Sequence, residues 1–312
     1  MGEKHILENK YIIFFVALLA CVLWGSAFPT LKVSFQELNL SNNDIWSKVL
    51  FAGFRFFGSS ILLFIFLLFR KEKMRIKLNP LYKIFILGLL QTTLQYFFFY
   101  NGLANTSGMK AAILQSSSTF FVVILAHFIY NDDKINNRKI IGLTTGFLGI
   151  ILANWGSGFN LDFSFNGEGF LLIAGLVASF GTILAKYLTI NLNPFLITAI
   201  QMLFGSTILI VIGSFKVGFF SLDFNLLSFS LLIYSSLLSA VAFSLWYSLL
   251  KYNKAGEVTI YRFMIPISGS VLSSIFIPGE KLNIQILFAL LMVAIGIISI
   301  NYRKRNNTET SI

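Results

Sequence analysis

Residues 100–154, from Tyr100-Asn101-Gly102-Leu103-Ala104-Asn105 to Gly149-Ile150-Ile151-Leu152-Ala153-Asn154, lie over residues 247–301 at a constant offset of 147 with no gap. Tyr100 falls on Tyr247, Leu103 on Leu250, Ile113 on Ile260, Leu125 on Leu272 and Lys134 on Lys281. Asn136 falls on Asn283, Leu143 on Leu290, Gly149-Ile150-Ile151 on Gly296-Ile297-Ile298, and Asn154 on Asn301. Asp133 meets Glu280 conservatively. Eleven identities in 55 positions is a modest score, since apolar helices match by composition alone. The gapless register, running from an aromatic residue to a terminal asparagine, is the stronger part.

Around this overlay the chain is apolar. Of 312 residues, 56% are hydrophobic and only 12% charged, where a soluble domain carries about 25% charged residues. So little polar surface cannot cover a soluble fold, which makes lipid the solvent. Ten stretches read as spans: Tyr11–Val33, Trp46–Phe69, Leu81–Leu103, Gly108–Tyr130, Ile140–Asn154, Gly167–Tyr187, Pro194–Phe215, Leu226–Leu250, Ala255–Ile277 and Asn283–Asn301. The fifth is short for a hydrocarbon core of about 30 Å and is expected to begin near Asn136. Each repeat then holds five spans. Five is odd, so the second copy enters the bilayer from the opposite side. The expected fold is an all-α integral membrane protein with ten transmembrane helices as two inverted five-helix repeats.

The net charge is +11, and the positives cluster in short connectors. No basic stripe is long enough to track phosphates, so nucleic acid is excluded as a partner. With the N-terminus inside, seventeen Lys and Arg fall on the inner side and five on the outer, while Arg55 and Arg262 lie within spans. That asymmetry predicts a multi-pass protein of the plasma or inner cell membrane with both termini cytoplasmic. The single cysteine, Cys21, rules out an intramolecular disulfide. Leu18-Leu19-Ala20-Cys21 resembles a lipoprotein cleavage box, but Val22-Leu23-Trp24 continues the apolar run where a polar linker is needed, so Cys21 reads as a helix residue. The same continuation argues against a cleaved signal peptide.

Several local marks then fall into an order. Leu23-Trp24-Gly25-Ser26-Ala27-Phe28 lies in span one and Arg55-Phe56 in span two. Leu103-Ala104-Asn105-Thr106-Ser107-Gly108-Met109-Lys110-Ala111-Ala112 recurs as Leu250-Lys251-Tyr252-Asn253-Lys254-Ala255-Gly256-Glu257-Val258-Thr259. Pro266 is followed by Gly279-Glu280-Lys281-Leu282. With these marks the chain resembles the ten-helix drug/metabolite transporter superfamily, in its EamA-like branch, over essentially its whole length. The resemblance implies a first five-helix repeat over 11–154, a second over 167–301 and a cytoplasmic tail over 302–312. It also implies a central cavity walled by spans one to four and six to nine, with spans five and ten peripheral. Two positions bear on the pattern. Thr119 stands where the family usually has a proline, opposite Pro266, which puts the span-four bend in question; the family's acidic residue after span four is Asp133.

Polar groups at membrane depth are costly and mark cavities or partners. Arg55 lies about 13 Å into span two at helical rise, a depth from which snorkelling is strained. It reads as a cavity group or as a structural ion pair or carbonyl cap. Arg262 is shallower, and both readings stand. Gln91 and Gln95 are four apart and share one face of span three. Gln115 begins the run Gln115-Ser116-Ser117-Ser118-Thr119, which reads equally as a polar lining or as small-residue packing. Gln201 is the counterpart of Arg55 in the second repeat. Trp24 sits at a similar depth and reads as cavity wall or as packing. These seven, Trp24, Arg55, Gln91, Gln95, Gln115, Gln201 and Arg262, are the candidate substrate-binding residues. His127 reads as structural sooner than as a proton relay, and with His5 alone beside it no metal site can be built. No cofactor is called for, and no catalytic grouping lies at membrane depth, so an enzyme is not expected. All thirteen Asp and Glu fall in connectors or at span ends, so carboxylate-based proton coupling is not expected.

The expected function is a transporter moving a small polar metabolite, such as an amino acid or another carboxylate-bearing solute, by alternating access, in export or facilitated exchange. A channel-like pore is the alternative, and a non-transporting membrane scaffold is a third that the short connectors disfavour. The expected partners are a small-molecule solute and the lipid bilayer; a homodimer is left open.

Overall fold

The structure is a computed structural model that describes residues 6–41, 43–72, 77–106, 108–153, 163–278 and 284–301. Gly279-Glu280-Lys281-Leu282, the tail over 302–312 and the basic residues Lys4, Lys73 and Arg75 lie outside the described residues. The described residues form helices and no strand.

Ten helical rods follow one another among these residues. They are α1 (Lys10–Glu37), α2 (Ile45–Phe69), α3 (Leu78–Gly88, a π-helical turn Leu89–Leu94 and Gln95–Ala104) and α4 (Gly108–Gln115 and Ser117–Ile129). Next come α5 (Asn137–Ala153), α6 (Phe165–Thr189), α7 (Pro194–Val217) and α8 (Leu226–Tyr252). The last two are α9 (Ala255–Phe276) and α10 (Ile284–Asn301). Each falls on one of the apolar stretches read from sequence. Seven of them, α1, α2, α4, α6, α7, α8 and α9, are long and apolar enough to cross a membrane, and Ile284–Ile300 of α10 is a shorter apolar helix.

The ends follow capping chemistry. Asn9, Asn193 and Asn225 each accept a backbone N–H at a rod's start, which satisfies donors that the first helical turn leaves free. At Asn225 the box is reciprocal, with Ser228 returning the bond. Pro194 opens α7, where its missing N–H costs nothing. Gly218, at φ +90°, ends that rod in a conformation that only glycine adopts freely.

The packing repeats itself under exchange of the two copies. Rod α1 packs on α8 and α9, and its counterpart α6 packs on α3 and α4. Rods α2 and α8 meet, as do α7 and α3. The two most extensive contacts, α2 with α7 and α5 with α10, join rods to their own counterparts. These principal contacts therefore pair up, as a pseudo-two-fold relation requires. The interfaces are close because small residues let backbones approach. A methyl group on Gly205 would lie 2.5 Å from the Gly88 carbonyl oxygen, and one on Gly25 would lie 2.8 Å from the Gly269 nitrogen. Outside, Phe15, Leu19, Ile61, Phe180, Leu287 and Leu291 are exposed, an apolar surface suited to acyl chains.

Candidate functional site

Rods α3 and α8 carry a repeated aromatic ladder. Tyr96 and Tyr100 stand one helical turn apart with ring centroids at 6.1 Å. Phe243 and Tyr247, both 147 residues further on, also stand at 6.1 Å. Phe56 of α2 joins the two ladders, at 4.6 Å from Tyr96 and 6.3 Å from Phe243. Trp24 of α1 packs edge-on against Phe243 (5.1 Å) and Trp246 (5.4 Å). A column of rings thus links α1, α2, α3 and α8.

The two arginines sit on this column. The Arg55 guanidinium lies 5.0 Å from the Phe56 ring centre, and its Nε donates to Ser239 Oγ (2.8 Å) and to the Ser235 carbonyl (3.3 Å) of α8. The Arg262 guanidinium lies 5.7 Å from Trp24 and 5.9 Å from Trp246. Neither has an acidic partner among the described residues. Arg262 makes no hydrogen bond to them either, so indole faces are what hold its charge. Arg262 stands in a 3₁₀ stretch, Thr259–Phe263, that interrupts α9. Its repeat counterpart is Gln115, 147 residues earlier, and there α4 is interrupted too, at Ser116. The span-four break therefore exists without a proline: Thr119 N–H donates to the Ser116 carbonyl at 3.0 Å in a tight turn.

The candidates part company from here. Trp24, Arg55 and Arg262 share the column. Gln115 is half-buried, and its carboxamide oxygen has no partner among the described groups. Gln91 donates to Gln95 Oε1 at 2.8 Å, and its own oxygen fills the space that a side chain at Gly181 of α6 would need. Gln201 accepts from Thr92 of α3 at 2.9 Å. Gln91 and Gln201 are thus placed in rod-to-rod contacts. The Gln201–Thr92 bond matters for the symmetry. Ser239 is 147 residues beyond Thr92 and Gln201 is 146 beyond Arg55, so the two contacts sit at matching places in the copies, with Arg55 donating where Gln201 accepts.

Sequence reading passed over Tyr96, Tyr100, Phe243, Trp246 and Tyr247 as site residues. Extending the same overlay four residues upstream would have paired Tyr96 with Phe243. Tyr100 (2% exposed) and Tyr247 (1%) are buried, yet both hydroxyls lack a partner, as does the Trp246 indole N–H. Tyr96, Trp24 and Arg262 are half-buried although they face other rods. Buried donors without protein partners thus lie next to half-exposed groups at mid-rod. A concavity of about 830 Å³ lies between α1, α9 and α10. Its lining, Phe14, Phe15, Leu18, Leu287 and Leu291 among others, is apolar, which suits lipid and not a polar solute.

At the ends of α4 and α8, cross-rod bonds close the bundle. Asp133, fully buried, binds the Lys139 ammonium at 2.5 Å and accepts the Gly256 N–H of α9 at 2.8 Å. Lys186 of α6 donates to the Leu250 and Asn253 carbonyls, and Asn253 donates to the Leu7 carbonyl. His127 accepts the Ile135 N–H at 3.0 Å, which is a structural role in the same turn.

A polytopic helical membrane protein, built as two interlocked copies of one unit around a polar and aromatic centre, is what this arrangement defines. The chain belongs to the EamA-like transporter family, whose model matches residues 11–155 and again 165–302. It is 26% identical over 298 residues to YvbV of Bacillus subtilis (93% of this chain, 92% of that one), described as an uncharacterized transporter. It is 26% identical to the uncharacterized inner membrane transporter YedA of Escherichia coli K12 (88% of each chain). A WAT1-related chloroplastic protein of Arabidopsis thaliana is 22% identical (96% of this chain, 72% of that one). One solved crystal structure has the same fold, with a TM-score of 0.75 at 12% identity over 93% of this chain and 98% of that one. The protein is a membrane transporter.

Proposed function

We propose that the chain crosses the bilayer ten times with both termini inside, and that it carries a small carboxylate-bearing metabolite by alternating access. The domain division follows the repeat: 11–154, 167–301 and a cytoplasmic tail over 302–312. The observation that carries the substrate class is Arg262, a cation lying against two indole rings with no acidic partner and no hydrogen-bond acceptor among the described residues. An unpaired charge at this depth is costly, and an incoming carboxylate would offset that cost with charge-assisted hydrogen bonds. Arg55, Trp24, Gln95 and Gln115 are the remaining wall groups. Gln91 and Gln201 hold α3 against α6 and α7, and so shape the chamber from behind. The exchange of contacts between copies supports two packings of similar energy, one open to each side.

Counterflow in proteoliposomes tests this. A carrier shows saturation and trans-stimulation by unlabelled solute; a pore shows neither. Arg262→Gln should weaken anionic solutes by roughly tenfold or more, the worth of one charge-assisted hydrogen bond, and neutral solutes less. Equal loss for both would leave Arg262 a packing residue. Because the described carboxylates lie at rod ends, a pH gradient alone should not drive accumulation. Concentrative uptake under that gradient would overturn the facilitated mode.

A further inference from the structure

Tyr100 and Tyr247 are the residues with which the repeat opens, and their surroundings match. Each is buried, each stands one turn beyond an aromatic partner at 6.1 Å, and each hydroxyl is without a protein partner. An unsatisfied buried hydroxyl is destabilising. One such group is a local accident. Two on residues that the repeat superimposes are a feature of the repeated unit.

Their neighbours divide between the arginines. Tyr100 packs on Tyr96, whose ring lies 4.6 Å from Phe56, the ring beneath Arg55; Tyr247 packs on Phe243, whose ring lies 5.1 Å from Trp24, the ring beneath Arg262. Phe56 touches both ladders, and so marks the middle. Their heights differ. Tyr100 is four residues from the end of α3 at Ala104, about 6 Å of helical rise. Tyr247 is five residues from the end of α8 at Tyr252, about 7.5 Å. In an inverted arrangement those two rod ends lie on opposite faces of the membrane. One hydroxyl then sits above the centre and the other below it. Trp246, whose N–H is also free, stands beside Tyr247 and under Arg262.

We propose that Tyr100 with Arg55, and Tyr247 with Arg262, are two half-sites for one carboxylate group, the outer half-site used when the chamber opens outward and the inner one when it opens inward. Each hydroxyl donates to a carboxylate oxygen that the neighbouring guanidinium holds by charge. The two-fold relation makes the hydroxyls equivalent. The arginines come from different rods, α2 and α9, so the charges are not equivalent. This rests on the carboxylate-carrier reading and adds which donors grip the solute at each face.

The test uses Tyr100→Phe and Tyr247→Phe in the full chain, reconstituted with sorted orientation. Labelled L-alanine, L-threonine, lactate and succinate serve one at a time as probes for counterflow. Phenylalanine keeps the ring packing and removes only the hydroxyl. Tyr100→Phe should raise the half-saturation concentration about fivefold or more from the outer face and leave the inner face within twofold. Tyr247→Phe should do the reverse. Melting temperature without solute should hold or rise, because an unsatisfied group has gone. Half-saturation values unchanged from both faces in a wild-type background that shows saturable counterflow would overturn the half-sites and leave the carrier reading intact. A melting temperature that falls in either variant would make the hydroxyl structural, and would also overturn the proposal. No saturable counterflow of any probe by the wild type would remove the carboxylate-carrier reading, and the half-sites with it.

Discussion

Replacing Asp133 by alanine breaks the most completely satisfied charged cluster among the described residues. Asp133 and Lys139 are 0% and 1% exposed. The lysine ammonium spends its three protons on Asp133 Oδ1, the Asp133 carbonyl and the Lys134 carbonyl. The second carboxylate oxygen takes the Gly256 N–H in the first turn of α9, where the helix dipole favours a negative charge. Asp133→Ala leaves a buried ammonium without its counter-charge and a helix N–H without its acceptor. Removing one partner of a buried pair costs about 3–5 kcal/mol. At about 2–4 °C per kcal/mol, the melting temperature in nanodiscs should fall by about 6–20 °C. The double variant Asp133→Ala/Lys139→Met removes the orphaned charge as well and should recover more than half of the loss. Thermal unfolding of the wild type, both single variants and the double variant closes the cycle. A single variant as stable as the wild type, or a double variant no better than the worse single, would refute the account of a self-sufficient buried pair.

Three further outcomes follow from the packing. Gly205→Ala should destabilise by about 1–3 kcal/mol, because its methyl would lie 2.5 Å from both the Gly88 oxygen and Thr92 Cβ; thermal unfolding checks it, and an unchanged melting temperature would mean that α3 and α7 can separate freely. Thr119→Pro should cost well under the roughly 3 kcal/mol of a proline inside an intact helix, since α4 is already broken at Ser116; a loss as large as that of a proline at Val123, deeper in the same rod, would contradict the break. Arg55→Lys should lower transport nearly as much as Arg55→Gln, because the Nε contacts to Ser239 and Ser235 need the guanidinium shape; wild-type counterflow in the lysine variant would reduce Arg55 to a point charge.

Much of the fold was legible because a bilayer imposes a length on each apolar run. The ends of the rods fall within four residues of the stretches read from composition. What composition could not give is rotation. Rods such as α7 and α8 are apolar nearly all round, so no stripe says which side of the helix faces a neighbour. Gln201 shows the consequence. Its pairing with Arg55 was readable as a position in the repeat, but that its carboxamide turns to Thr92 was not. Tyr100 and Tyr247 were in view from the start as a matched pair, yet tyrosines in an aromatic-rich chain carry no local signal of function. Only burial without a partner singled them out. The Thr119 question was settled by backbone geometry: the break in α4 belongs to the Ser116 turn, where Ser116 Oγ also bonds the Ile113 carbonyl, and needs no ring to enforce it.

The duplication is close in backbone and unequal in charge. Arg55 answers to Gln201 and Arg262 to Gln115, so each copy contributes one cation at a place where the other has an amide. Two packings related by the pseudo-two-fold would be equal in energy if the side chains matched. Here they do not. The α2–α8 contact sets a guanidinium against Ser239, whereas the matching α7–α3 contact sets a neutral amide against Thr92. In the alternating-access reading proposed above, the two states therefore differ in free energy even without solute. A bound carboxylate narrows or widens that gap according to which arginine it neutralises. In that reading the neutral–charged mismatch between the copies sets which state the empty carrier favours, while the solute gradient sets the direction of net flux.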